Sequence, residues 1–276
     1  MTKLRLGTYV EFQCPPGRDH AELINDVIQC AEHSDQRGFD VFTTLEHPFF
    51  EKFAINCAPL PLYTKLAERT RNLRFRTLCH TLPLHNPMVL SGQIAEADIL
   101  TGGRIEVGIG RGHGWLQEPA NVAYEESLER FHECIEILIK GWTEERFSFD
   151  GKYYSCENLS IVPKPVQKPH PPILLGSHTE SGLNRIAKYC DGWLPIGAMM
   201  PDFKASIGDL RARVEKVGRT ASDIGVSSFM APAEEPALQQ YQEMGVERAI
   251  FGVPSEGRDK VLPILDNYAM LIPKMA

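Results

Sequence analysis

Polar and titratable side chains follow several short apolar segments of this sequence, at the points where predicted strands end. They are Tyr9, Glu11, Glu46, His47, Cys79, His80, His85, Arg111, His113, Trp115, Ser177, His178, Thr179 and Ser181. In a barrel of parallel strands, the loops that follow the strands form the active site. If the fold is such a barrel, these side chains share one rim.

His47 is the residue of this set best suited to proton transfer. The ordinary pKa of an imidazole, about 6.5, lets it act as an acid or a base at neutral pH. Glu46 precedes it in the sequence, but adjacent strand residues point to opposite faces, so the two side chains need not touch. A structural histidine bonded to the backbone explains His47 equally well.

A phosphate group fits the segment 177–181, which opens a predicted helix. The free N–H groups and the positive dipole end of a helix attract anions, and Ser177, Thr179 and Ser181 add hydroxyl donors. Arg111, in the glycine-rich segment Gly110–Gly114, could reach the same phosphate. The simpler alternatives are that Thr179 only caps the helix and that Arg111 is a solvent-exposed loop residue.

Two further chemistries stay open at this point. Cys79 could be a nucleophile, although a buried and inert thiol is the commoner state of cysteine. A metal-dependent hydrolase could use Glu46 with the histidines near strand ends, which are His47, His80, His113 and His178. Because the sequence has no His-x-His pair, we predict no metal ligands.

The elements that position these residues alternate between β-branched segments and segments of helical periodicity, which is typical of parallel strands joined by helices. The predicted strands are Leu4–Val10, Asp40–Leu45, Leu73–Thr81, Ile105–Ile109, Ile173–Leu175, Gly192–Ile196, Ile224–Met230 and Glu247–Val253. About eight βα units without a domain break predict a fold of the α/β class, a single (β/α)8 TIM barrel domain over residues 1–276. A doubly wound open sheet is the alternative, and the lack of a G-x-G-x-x-G sequence after the first strand disfavours it.

The segment Phe147–Pro172 interrupts the alternation with many prolines, and it predicts a long loop that serves as a lid or crosses the rim. An apolar substrate pocket is plausible from four phenylalanines near predicted strand ends, which are Phe12, Phe49, Phe50 and Phe53. Ordinary packing explains the same residues.

Charge and composition restrict the partners. The formal net charge is -7, with 29 basic and 36 acidic residues, which disfavours nucleic acid or an anionic membrane as a partner. No apolar segment approaches the roughly 20 residues of a membrane helix, and the N-terminus does not resemble a signal peptide. Seven cysteines without a C-x-x-C pair are typical of reduced thiols in a cytoplasmic protein.

Several blocks, taken together, resemble the bacterial luciferase-like flavin monooxygenases. They are Glu46-His47, Thr77-Leu78-Cys79 with Leu82-Pro83 and Pro87, Thr101–Arg104, Gly108–Gly112, Phe149–Tyr154 and Pro163–Pro172. The resemblance covers nearly the whole chain. It implies a (β/α)8 barrel that uses reduced FMN, or a deazaflavin as the alternative, on a small organic substrate.

The resemblance also implies roles for individual residues. His47 matches the catalytic histidine, Arg111 and Ser181 match phosphate contacts, and the Leu78–Cys79 bond falls where the family often has a cis peptide beneath the flavin ring. The full expected cofactor-binding set is Tyr9, Glu46, Leu78, Cys79, Arg111, Gly112, His178, Thr179 and Ser181. A separate flavin reductase is expected because the sequence shows no nicotinamide fingerprint, and the family further implies a homodimer.

The sequence departs from the family at two places. Pro48 stands where the family has a second histidine, which leaves room for a flavin-binding protein without catalysis. Residues 219–252 resemble the short deazaflavin members, whereas the Gly110–Gly112 segment resembles the FMN branch. We expect FMN, with hydride transfer from a deazaflavin as the alternative chemistry.

Overall fold

The structure is a computed structural model that describes residues 3–49, 51, 54–56 and 58–275. Its strands are β1 (Arg5–Val10), β2 (Val41–Thr44), β3 (Arg74–Thr77), β4 (His80–Thr81), β5 (Ile105–Gly110), β6 (Phe147–Asp150), β7 (Ser155–Leu159), β8 (Ile173–Leu175), β9 (Gly192–Trp193), β10 (Gly225–Ser228) and β11 (Arg248–Val253). Its α-helices are α1 (His20–Arg37), α2 (Pro59–Ala67), α3 (Pro87–Leu100), α4 (Gly114–Gln117), α5 (Ser127–Thr143), α6 (Glu180–Tyr189), α7 (Phe203–Lys216), α8 (Glu235–Met244) and α9 (Arg258–Ala269).

The parallel strands close into an eight-position barrel, which confirms the predicted (β/α)8 fold. Around the barrel the order is β3/β4, β2, β1, β11, β10, β9, β8 and β5, and pairing of β3 with β5 closes the ring. Consecutive βα units therefore lie side by side, as they do when each helix crosses over to the next parallel strand. The carboxyl ends of all eight positions face one rim, which we call the mouth.

Local sequence signals determine where the helices begin and end. The side chain of Asp19 accepts the backbone N–H of Glu22 at the start of α1, and Gly38 ends that helix with a positive φ of 85°. Asn86 caps α3 through the N–H groups of Met88 and Val89. These caps satisfy backbone groups that a helix end leaves unpaired, and they fix both ends of α1 and the start of α3.

One barrel position differs from its prediction. The sequence predicts a continuous strand over Leu73–Thr81, but β3 ends at Thr77 and β4 begins at His80. Between them the Leu78–Cys79 peptide bond is cis, as the family resemblance implies. The strand is interrupted at the point where the expected flavin floor begins.

Glycines of β5 let this interrupted segment lie against the neighbouring strand. A Cβ at Gly108 would overlap the carbonyl oxygen of Thr77, and one at Gly110 would overlap the Sγ of Cys79. Gly112 has a φ of +78°, and a Cβ there would overlap the side chain of Thr81. These positions therefore require glycine because of close packing between neighbouring segments, whether or not a ligand approaches them.

The end of the barrel opposite the mouth is filled by an ionic cluster. Glu106, which is 2% exposed, binds Arg76 through Nη2 at 2.6 Å, Arg74 through Nε at 2.6 Å and Arg248 through Nη2 at 3.3 Å. Asp40 also pairs with Arg248. A buried carboxylate is tolerated when several cations surround it in this way.

The prediction of a loop over Phe147–Pro172 is wrong in its first half, where β6 and β7 form an antiparallel hairpin. The hairpin packs on α5, where Glu133 accepts the backbone N–H of Lys152 at 2.8 Å and of Tyr154 at 3.0 Å. Gln167, in the second half, bonds Asp98 and the carbonyl oxygen of Ile105, near the amino end of β5. The segment therefore packs on α5 in its first half and reaches the amino end of β5 in its second half.

The predicted phenylalanine pocket is only partly described. Phe12 is 2% exposed within the core, and it borders a cavity of about 300 Å³ beside α1 and α2. Phe49 is exposed, while Phe50 and Phe53 lie outside the described residues. Phe12 thus packs in the core, which is the simpler of the two explanations given above.

Candidate active site at the mouth of the barrel

His47 lies directly beyond β2, and its backbone N–H donates to the carbonyl oxygen of Asn56 at 2.8 Å. Its ring lies 5.7 Å from the ring of Trp115. Burial, reinforced by the nearby His113, lowers the pKa of His47 to about 4, although Glu46 opposes the shift. A neutral imidazole at pH 7 is able to accept a proton.

The segment between β5 and α5 places two aromatic rings opposite His47. The rings of His113 and Trp115 stack with 5.9 Å between centroids and 9° between planes. Trp115 is 40% exposed, so one side of its ring faces solvent. An exposed aromatic face beside an imidazole can stack on a planar ligand.

Glu46 does not share the environment of His47. Its carboxylate accepts the backbone N–H of Thr81 at 2.9 Å, and it lies 3.3 Å from Nδ1 of His80 and 3.0 Å from Nε2 of His85. Burial raises the pKa of Glu46, but His80 and His85 outweigh burial and hold it below its usual range. The cofactor contact expected of Glu46 stays a prediction, because its side chain belongs to this neighbouring cluster.

Tyr9 and Cys79 lie on the floor beneath the mouth. Tyr9 is buried, its hydroxyl donates to Glu11 at 3.2 Å and its ring meets Phe229 edge to face at 4.5 Å. Burial raises the pKa of the Cys79 thiol to about 12, and Glu46 adds to the shift. The thiol is therefore protonated at neutral pH, which argues against Cys79 as a nucleophile.

The N-terminus of α6 gathers hydroxyl groups. Thr179 caps the helix through the N–H of Gly182 at 3.2 Å, and its Oγ1 lies 3.2 Å from Ser177 Oγ and 3.4 Å from Ser181 Oγ. His178 is exposed beside them. The cap predicted as the simpler alternative is present, and the hydroxyl groups remain near the positive end of the helix dipole.

Arg111 is held on the mouth side of β5. Its Nε donates to Ser127 Oγ at 2.7 Å, its Nη2 donates to the carbonyl oxygen of Tyr124 at 2.8 Å, and the guanidinium lies 4.1 Å from the centre of the Tyr124 ring. These contacts fix Arg111 against the start of α5. They argue against a loose, solvent-exposed arginine.

Arg185 is a site residue that the sequence reasoning missed. Burial lowers its pKa, and the positive charge of Arg111 lowers it further. Its Nε is buried without a partner among the described residues, as is Nε2 of the nearby His132. Ser181 and Arg185 are four residues apart on α6, and that spacing could have placed both on one helix face.

The histidine set of the hydrolase alternative is not assembled. Within the described ranges, the group that could hold a metal ion is Glu46, His80 and His85, and neither His113 nor His178 belongs to it. The site therefore consists of His47 and its aromatic neighbours, the Tyr9–Cys79 floor, and a basic, hydroxyl-lined region shared by Arg111, Arg185 and α6.

Comparison with known proteins places this sequence in a family. The profile of the luciferase-like monooxygenases matches residues 4–262. The chain belongs to this family. It is thus a member of a family of enzymes, as the sequence blocks predict. The FMNH2-dependent dimethylsulfone monooxygenase of Pseudomonas putida is 32% identical over 152 residues, which are 52% of this chain and 41% of that protein.

Solved structures agree on the fold. Monooxygenase RslO1 from Streptomyces bottropensis superposes with a TM-score of 0.89 at 19% identity, over 99% of this chain and 100% of that one. An F420-dependent secondary alcohol dehydrogenase superposes with a TM-score of 0.80 at 13% identity, over 99% of each chain. The chain spans about half the length of the first curated relatives that it matches. None of its described helices is long and apolar enough to cross a membrane.

Proposed function

We propose that the chain binds reduced FMN across the mouth and acts as a monooxygenase on a small organic molecule. The observation that supports this most directly is the buried Nε of Arg185, which has no partner among the described residues and lies on α6, whose N-terminus carries a cluster of hydroxyl groups. A guanidinium group with a buried, unpartnered nitrogen favours a bound anion. The FMNH2 dependence of the Pseudomonas putida relative supports the same cofactor.

The phosphate of FMN fits the donors of this region. Arg185 and Arg111 supply charge, Ser177 and Ser181 supply hydroxyl groups, and α6 supplies its positive dipole end. The isoalloxazine ring would lie over Leu78 and Cys79, beside Tyr9. Contacts of Gly112 and His178 with the phosphate end of the cofactor remain part of this proposal.

Reduced FMN, when bound, supplies the electrons that activate oxygen. His47 then holds or moves the proton, because its lowered pKa keeps the ring neutral at pH 7. His113 and Trp115 lie beside it, and the exposed ring of Trp115 is available to stack on the flavin. A separate reductase would supply the reduced cofactor, and a homodimer remains our prediction for the assembly.

The phosphate assignment is tested by comparing two flavins that differ only in that group. We expect Arg185→Gln to weaken binding of reduced FMN by about 10- to 100-fold, because a charged hydrogen bond contributes about 1.5–3 kcal/mol. Binding of reduced riboflavin, which lacks the phosphate, should be unchanged. Anaerobic fluorescence titration measures both affinities.

Arg258→Gln is the matched control, since Arg258 is exposed on α9 and bonds Gln29. Equal losses for FMN and riboflavin in Arg185→Gln would contradict the phosphate assignment. Wild-type protein without saturable affinity for reduced FMN would contradict the function itself. Anaerobic turnover supported by a reduced F420-type deazaflavin but not by FMN would select the hydride-transfer alternative.

A further inference from the structure

A cavity of about 400 Å³ lies outside the barrel wall, between α2 and α3. Its inner end is formed by Glu46, His80 and His85, and its α3 side includes Gln93 and Glu96. The described residues that line it include two carboxylates and no lysine or arginine. A cavity with this charge favours a cation over an anion.

Three different side chains converge at the inner end. Each of Glu46, His80 and His85 offers one ligand atom, and these atoms lie within 4.8 Å of one another. The shortest separations from the carboxylate oxygens are 3.0 Å to His85 and 3.3 Å to His80. Two ligand atoms at about 2.0–2.1 Å from one tetrahedral zinc ion are about 3.3 Å apart, so the spacing already suits a single ion.

The burial of this cluster also calls for a positive charge. Glu46 is 4% exposed and His80 is 2% exposed, and a buried carboxylate is costly unless a cation pairs with it. Imidazole nitrogens of two rings lie close to the same carboxylate, Nδ1 of His80 at 3.3 Å and Nε2 of His85 at 3.0 Å. A single metal ion would accept a lone pair from each ring and would also neutralise the carboxylate.

We propose that Glu46, His80 and His85 bind one divalent transition-metal ion of the zinc type. Three protein ligands leave a fourth position for water or a small anion, as in open zinc sites. The cavity gives an ion a path from solvent, because His85 is only half-buried at its inner end. Binding of this ion is measured without any flavin.

The ion would tie three parts of the mouth together. Glu46 follows β2, His80 begins β4, and His85 lies in the turn before α3. All three flank the Leu78–Cys79 floor. An ion bound only by the folded chain raises its stability by mass action.

Untagged protein that has been treated with a chelator and dialysed is titrated with zinc chloride by calorimetry. We expect one ion per chain and a higher Tm with zinc. His85→Asn should raise the Kd by at least about 100-fold, since even outer partners of a metal ligand contribute 10- to 100-fold. Glu46→Gln should behave likewise, and His20→Asn, at the exposed start of α1, should match the wild type.

Cobalt provides a second measurement that needs no variant. Visible absorption of the wild-type protein with Co²⁺ should show the bands of a four-coordinate site with nitrogen and oxygen ligands, and zinc should abolish them. The proposal is overturned if wild-type protein binds no zinc saturably, if His85→Asn binds as tightly as wild type, or if the bands are absent.

Discussion

At the scale of single residues, Glu46 and His47 are adjacent in sequence, but their side chains lie in different environments and differ in protonation state. The backbone turns one side chain toward His113 and Trp115 and the other toward His80 and His85. Burial lowers the pKa of His47 to about 4, whereas the carboxylate of Glu46 is kept ionised by its imidazole neighbours. The alternation of side chains along an extended backbone is sufficient to produce this division.

A prediction at this scale concerns His47 as the proton-transfer group. We expect His47→Ala to bind reduced FMN within about twofold of the wild type, because the phosphate donors are elsewhere. Oxygen-dependent oxidation of the bound flavin should slow by about 100-fold, the smaller end of the range for a general acid or base. Stopped-flow absorbance measures the rate.

Added imidazole should restore part of that rate, which loss of a merely structural ring would not allow. His20→Ala serves as the control at an exposed position. If His47→Ala oxidises bound flavin as fast as the wild type, the proton-transfer role of His47 is wrong, and the flavin-binding protein without catalysis becomes the better interpretation.

At the scale of elements, β5 decides the shape of the floor. Its glycines leave room for the interrupted β3–β4 position, so that Cys79 and Thr81 lie directly against it. The sequence shows these glycines, but it does not show which neighbour fills the space that they leave. Packing of one strand against its neighbour accounts for Gly108 and Gly110.

Gly110→Ala tests this packing. The new methyl group would overlap Sγ of Cys79, and we expect a loss of about 1–3 kcal/mol in the free energy of unfolding, which is typical of overpacking. Cys79→Ala in the same chain should recover a large part of the loss by removing the sulfur. Urea unfolding measures each variant.

Gly208→Ala is the matched control, because nothing lies within 4 Å of the added Cβ and the residue is inside α7. It should stabilise the chain by about 0.4–1 kcal/mol. Equal effects of the two alanines, or no recovery in the double variant, would show that Cys79 does not limit the space at Gly110.

At the scale of the whole molecule, the two ends of the barrel are lined by different types of residue. The mouth carries neutral histidine, aromatic rings and hydroxyl groups, while the opposite end holds Glu106 among Arg74, Arg76 and Arg248. Burial alone would raise the pKa of Glu106, but the three arginines lower it below its usual range. The ionic cluster and the proposed flavin site therefore lie at opposite ends of the barrel, as is usual for this fold.

The ionic cluster predicts how stability depends on pH. Glu106→Gln should lower the free energy of unfolding at pH 7 by about 3–5 kcal/mol, because it leaves buried guanidinium groups unpaired. The depressed pKa means that the contribution of Glu106 is complete above its unfolded-state pKa of about 4.3 and is lost as the pH falls through the lower folded-state value.

The difference in the free energy of unfolding between wild type and Glu106→Gln should therefore be constant from pH 7 to about pH 5. It should become smaller below about pH 4. Urea unfolding across this range measures it. Glu157→Gln, on the exposed face of the hairpin, should have the same free energy of unfolding as the wild type at every pH. A difference that grows on acidification would have the opposite sign and would contradict the role of the cluster.

The sequence by itself determined the succession of strands and helices, because apolar periodicity, caps and turns act over a few residues. His20–Arg37 and its glycine end are a case in which local chemistry sufficed. It also determined the family, through blocks spread along the chain. The tertiary structure alone decided that the Nε of Arg185 is buried without a partner among the described residues, that Glu46 belongs with His80 and His85, and that the first half of Phe147–Pro172 forms a hairpin. Those facts depend on contacts between residues far apart in the chain, and side-chain direction across a closed barrel has no signal in local sequence.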